Sequence, residues 1–152
     1  MIEAAMKRMF ILLYCLCIAL VGYSQRYDSE QEKLRTEIAD YLQRQGLNPE
    51  KQKDGLKFKS EGSTYYIEID ENEKNPMYVC LRRYVKYSDR YDRQTISDNL
   101  NAYNVKYGVK VFCQENSFVM SAEMFLDKAS DFNYVFDTFL SHIQSTYELI
   151  TE

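Results

Sequence analysis

Residues 55–70 read GLKFKSEGSTYYIEID, and their period decides the fold. Leu56 and Phe58 alternate with Lys57 and Lys59; beyond Gly62-Ser63, Tyr65, Ile67 and Ile69 alternate with Tyr66, Glu68 and Asp70. Successive side chains of a strand point to opposite faces, so this alternation marks strands with one face buried. Two such runs around a glycine turn predict a β-hairpin.

The pattern extends in both directions. Downstream, the polar stretch Asp70 to Pro76 reads as a loop, and a third strand runs from Met77 to about Tyr87 with Met77, Val79, Leu81 and Val85 on one face. Asp89 to Tyr107 carries Ile96, Leu100 and Tyr103 at helical spacing and ends at Gly108. Val109, Val111 and Cys113, then Phe118, Met120, Ala122 and Met124, predict a second hairpin around Glu115-Asn116. Ala129 to Ile150 is the clearest helix, with Phe132, Val135, Phe136, Phe139, Leu140, Ile143, Tyr147 and Ile150 on a wide apolar face. Upstream, Gln25 to Gly46 reads as a helix through Leu34, Ile38, Tyr41 and Leu42, capped by Asp28 or Ser29 and ended by Gly46 and Pro49. The order is α-β-β-β-α-β-β-α. Hairpin-joined strands with separate helices imply an α+β fold, an antiparallel sheet with helices packed on one face.

The chain has 152 residues, enough for one domain. Lys7 and Arg8 precede an apolar run of 13 residues, Met9 to Val21, and Gly22 and Ser24 supply small residues before Gln25. These are the parts of a secretory signal peptide over residues 1–24, leaving one domain over 25–152. The apolar run is shorter than the roughly 20 residues a bilayer span needs. Translation from Met6 gives the same leader; an uncleaved anchor, or a lipoprotein signal at Cys15 or Cys17, is the alternative. Cleavage leaves 17 basic and 22 acidic side chains, a net charge of −5. An acidic exported domain is a poor match to nucleic acid, whose binding is driven by cationic side chains.

If the helices cover Leu56, Phe58, Tyr65, Ile67, Ile69, Val79, Leu81, Val111 and Met120, the outer sheet face holds Lys57, Lys59, Glu68 and Arg82. It also holds Tyr66, Tyr78, Cys80, Tyr84, Phe112, Val119 and Phe125. Aromatic residues beside an arginine are the chemistry of interfaces, although tyrosine also suits strands in general. The expected partner-binding residues are Tyr66, Tyr78, Arg82, Tyr84, Phe112 and Phe125. The same phases separate Cys80 (outer) from Cys113 (core side), against a disulfide.

Catalytic chemistry has little to stand on. The mature chain holds one histidine, His142, and no paired cysteines at zinc-ligand spacing. Asp70-Glu71-Asn72-Glu73 lacks the glycine and spaced acids of a calcium loop. A nucleophile would need a base oriented by a carboxylate, and none of the five glycines builds a phosphate loop. No enzyme, metal or cofactor is expected. Arg82, Arg83, Lys86, Arg90 and Arg93 form a basic cluster interleaved with Tyr84, Tyr87 and Tyr91, which reads first as a solvated strand edge and, as a binding surface, suits an acidic peptide, polysaccharide or lipid headgroup.

Residues 99–108 (NLNAYNVKYG), the hairpin ending SFVMSAEMFL at 117–126, and FDTFL at 136–140 together resemble the YbjN-like family, here as an exported, Bacteroidetes-type member. The resemblance covers residues 28–150 in topology and 99–140 in motif. It implies the fold of type III secretion chaperones, which are small acidic homodimers that bind an extended segment of a client protein. Family members carry the label of sensory transduction regulators and offer no catalytic residues. Most proteins of the fold are cytoplasmic, so the leader departs from the pattern. The expectation is a non-enzymatic exported module, homodimeric, holding a protein or peptide on its aromatic sheet face. Its rivals are a regulatory subunit of an envelope protein acting through the basic cluster, and a small-ligand-binding protein.

Overall fold

The computed structural model describes residues 27–104 and 108–152. The leader at residues 1–24 and the expected helix start at Gln25 lie outside them.

Helix α1 (Ser29–Arg44) begins at the Asp28 cap. Its carboxylate accepts the Gln31 N–H at 2.9 Å, and the Gln31 side-chain oxygen accepts the Asp28 N–H at 3.2 Å, closing a reciprocal capping box. Then come β1 (Glu50–Gln52), β2 (Gly55–Ser60), β3 (Ser63–Lys74), β4 (Met77–Lys86) and α2 (Arg93–Asn104). The chain closes with β5 (Lys110–Cys113), β6 (Ser117–Leu126), a single 3₁₀ turn at Ala129–Asp131, and α3 (Phe132–Thr151). The six strands form one antiparallel sheet in the order β1-β2-β3-β4-β6-β5. The α+β architecture is the expected one, with one strand more.

Two segments differ from the sequence reading. The short β1 pairs Glu50, Lys51 and Gln52 with Lys57, Leu56 and Gly55. Asp70 to Lys74 is not a loop: β3 continues through an irregularity between Ile69 and Lys74 and turns at Asn75-Pro76, a cis peptide. The buried Gln31 side chain explains how so polar a segment stays in place. Its amide donates to the Asp70 carbonyl at 2.7 Å, tying the irregular part of β3 to α1.

The core lies between the sheet and the three helices. Leu34, Ile38 and Leu42 of α1, Phe132, Phe136 and Ile143 of α3, and Ile96 of α2 meet Leu56, Phe58, Ile67, Val79, Leu81 and Met120. An aromatic chain links the layers: Tyr65 stacks on Phe58 at 5.4 Å, Phe58 meets Phe136 at 5.7 Å, and Tyr41 meets Phe136 edge-on at 5.6 Å. Among the described residues no helix is long and apolar enough to cross a membrane.

Candidate functional site

Register builds the outer sheet face row by row. Tyr66 lies opposite Arg82, Arg82 opposite Ser121, and Ser121 opposite Lys110. The next row runs Glu68, Cys80, Glu123, and the row beyond pairs Tyr78 with Phe125. On the other side of the centre, Tyr84 faces Val119 and Val119 faces Phe112. All six expected contact residues therefore share one face. They do not form one patch.

A polar ladder divides them. Arg82 ion-pairs with Glu68, and its Nε reaches Ser121 Oγ at 3.4 Å. The other Glu68 oxygen accepts the Tyr84 hydroxyl at 2.9 Å. Lys110 grips both oxygens of Glu123, at 2.9 and 2.7 Å. Either side of this ladder stands an aromatic pair. Tyr66 meets Tyr84 edge-on with centroids 5.3 Å apart, and Tyr78 tilts against Phe125 at 4.9 Å. Phe125 is the most open of these, at 63% exposure, while Cys80 and Val119 are buried beneath their neighbours.

The titration of the centre follows from its crowding. Burial pushes the Tyr78 hydroxyl up, helped by hydrogen bonding to Cys80 and Glu123. Burial also raises the Cys80 thiol, which Tyr78 and Arg82 only partly oppose. Glu123 is pushed up by burial but held below its ordinary 4.5 by Lys110 and Tyr78. Cys80 is therefore a protonated thiol at neutral pH, without the lowered pKa that marks a reactive one. A cleft of about 180 Å³ opens beside Glu68, Asp70, Tyr78, Cys80 and Arg82. No group of carboxylates, thiols or imidazoles able to hold a metal occurs among the described residues.

The basic cluster does not form a single surface. Arg82 turns to the outer face and is neutralised by Glu68. Arg83, one residue on, lies on the helix-covered face over the Tyr147 ring at 3.6 Å. Cys80 and Cys113 are both free thiols on opposite faces of the sheet: Cys80 pairs with Glu123, while Cys113 sits beside the core and opposite Phe118. The ladder members Ser121, Glu123 and Lys110 were missed in the sequence. Their alternation phase is visible there, but placing them beside Arg82 requires the β4–β6 pairing of strands that are not consecutive.

No family model matches the chain, and no curated protein matches it. Two solved structures are similar. The crystal structure of YbjN from E. coli, described there as a candidate transcription regulator, aligns with a TM-score of 0.56 at 13% identity, covering 72% of this chain and 84% of that one. An uncharacterised protein from Methanothermobacter thermautotrophicus aligns with a TM-score of 0.54 at 11% identity, covering 77% of this chain and 96% of that one. At such identities the likeness is one of fold: the chain has a YbjN-like α+β fold.

Proposed function

We propose that the protein is an exported, non-enzymatic module that binds a protein or peptide segment on its outer sheet face and self-associates as a homodimer. The observation that carries this reading is the pair of aromatic clusters, Tyr66–Tyr84 and Tyr78–Phe125, standing on either side of a satisfied polar ladder on the face opposite the one that the described helices pack against. Aromatic rings with a polar handle bury large areas at low entropic cost, while a fixed polar centre sets orientation. The raised thiol of Cys80 and the neutralised Arg82 support binding over catalysis.

Light scattering on the chain from residue 25 onward, beside Tyr84→Glu and Phe125→Glu, tests the reading. Both positions are open enough to accept a carboxylate in the folded monomer. Loss of the dimer, or of a captured partner, in Phe125→Glu with unchanged thermal stability supports the aromatic face as the contact; Tyr84→Glu, which also sets a carboxylate beside Glu68, need only remain folded. If every association survives both substitutions, the face has no binding role.

A further inference from the structure

Arg83 stands in the wrong row for a charge. Along the helix-covered side of β4 it takes its place among Met77, Val79, Leu81 and Val85, between Tyr65 of β3 and Met120 of β6. The residue is half-buried, and its guanidinium lies over Tyr147 of α3 at 3.6 Å and 5.8 Å from the Tyr65 centroid. The contrast with its neighbour is sharp: Arg82 has a carboxylate, a hydroxyl and a thiol as partners. Among the described residues Arg83 has no acceptor within hydrogen-bonding distance and no carboxylate within ion-pairing distance. Stacking satisfies the flat faces of a guanidinium and leaves its in-plane N–H donors unused.

Arg83 lines a pocket of about 240 Å³ between α3 and the β2–β3 turn, together with Glu61, Ser63, Tyr65, Gln144, Tyr147 and Glu148. Gln144 Nε2 donates to Glu61 Oε2 at 3.0 Å and ties the helix to the turn, so Glu61 already has a partner. Arg90 adds positive potential at the same place: with Arg83 it opposes the rise that burial and Tyr91 impose on the Tyr147 hydroxyl. The carboxylates of Glu61 and Glu148 also line the pocket, which disfavours a multiply charged anion.

We propose that this pocket is a binding site for a singly charged carboxylate, gripped by the in-plane N–H groups of Arg83 with Ser63 and Gln144 beside it. A planar carboxylate matches the guanidinium fork in two parallel hydrogen bonds. The carboxylate can come from a free organic acid or from the C-terminus of a peptide. The site lies on the face opposite the aromatic clusters and does not depend on their role.

The test is a two-dimensional NMR titration of the chain from residue 25 onward. Its probes are acetate, an N-acetyl-dipeptide with a free C-terminus, the same dipeptide amidated, and inorganic phosphate. The expected result is saturable shifts at Ser63, Arg83, Gln144 and Tyr147 with a dissociation constant of about 1 mM for the free-acid peptide, and none for the amide. Equal binding of acetate and peptide points to small acids as the source; preference for the peptide points to chain termini. Arg83→Lys keeps charge and stem but loses the fork, and weakens binding by about tenfold; Arg83→Met keeps the stem over Tyr147 and abolishes it. Both variants should show a wild-type amide spectrum away from the pocket, and Tyr84→Glu should bind the carboxylate unchanged. Binding of the amide as well as the acid, tighter binding of phosphate, retention of affinity in Arg83→Met, or no shift by 10 mM (about tenfold above the expected constant) would overturn the assignment.

Discussion

Gly55 has φ +145°, and a Cβ built on it would lie 1.9 Å from the Ile67 carbonyl oxygen. The contact is with backbone of the adjacent central strand, so no side-chain movement relieves it. Gly55→Ala should therefore cost more than about 2 kcal/mol, measured by urea denaturation. Gly62 is the control: its φ is +75° but nothing lies within 4 Å of an added Cβ, so Gly62→Ala should cost only about 1 kcal/mol, the left-handed backbone penalty. Glu123 provides a second test at this scale. Its folded pKa is depressed from 4.5, so the stability it contributes is present above that value and is lost as pH falls through the lower folded pKa. Lys110 is 61% exposed, which limits the pair to about 0.5 kcal/mol. Lys110→Met should be less stable than the parent at pH 7 by no more than that, and the difference should close on acidification. A gap that widens as pH falls would mean that the pair does not set the Glu123 titration. Cys80 follows from the same crowding: iodoacetamide should label it slowly in the folded protein and promptly in urea, because burial both shields the thiol and raises its pKa.

Strand edges decide what an element can do, and the two edges of this sheet are closed differently. At β1 only three exposed residues are offered. At β5 the side chain of Asn104, from the end of α2, acts as a substitute strand: its oxygen accepts the Val111 N–H at 2.6 Å and its amide donates to the Val111 carbonyl at 3.1 Å. Open edges invite pairing with another chain, so strand addition at Val111 is blocked until this amide moves. Asn104→Ala should cost about 1–3 kcal/mol through the two backbone groups it uncovers. It should also raise the tendency to self-associate through β5, read by light scattering against concentration; a variant equally stable and equally monodisperse would refute the edge role. Elements with strong periodicity were legible in the sequence: the apolar face of α3, the β2–β3 alternation, the Asp28 cap. The exceptions have physical reasons. β1 buries nothing, so it has no hydrophobic signal. The end of β3 is polar because its geometry is held by Gln31 from another element, and a long-range hydrogen bond leaves no mark in local composition.

At the scale of the molecule, the phases of single strands located each outer-face side chain, but only the non-consecutive β4–β6 pairing shows which of them touch. That is why the aromatic residues were legible as a list while their division into two clusters was not. The same pairing changes what a basic run in the sequence means. Arg82 and Arg83 are adjacent in the chain, yet one is neutralised by Glu68 on the outer face and the other lies over Tyr147 beneath α3. Split in this way, and with Arg82 neutralised by Glu68, the two adjacent arginines do not combine into one cationic surface that would steer an anionic partner. The proposed association through the aromatic clusters would be driven by apolar burial, which salt does not screen, whereas an interface of exposed charges weakens as the Debye length shrinks. If the proposed dimer forms through these clusters, its dissociation constant measured by sedimentation between about 0.05 and 0.5 M salt should therefore change by less than about twofold. A steep loss of affinity over that range would assign the contact to exposed charges such as Lys86, Arg90 and Arg93. Reversing those three charges, with Tyr84 and Phe125 left in place, would then dissolve the dimer that Tyr84→Glu leaves intact.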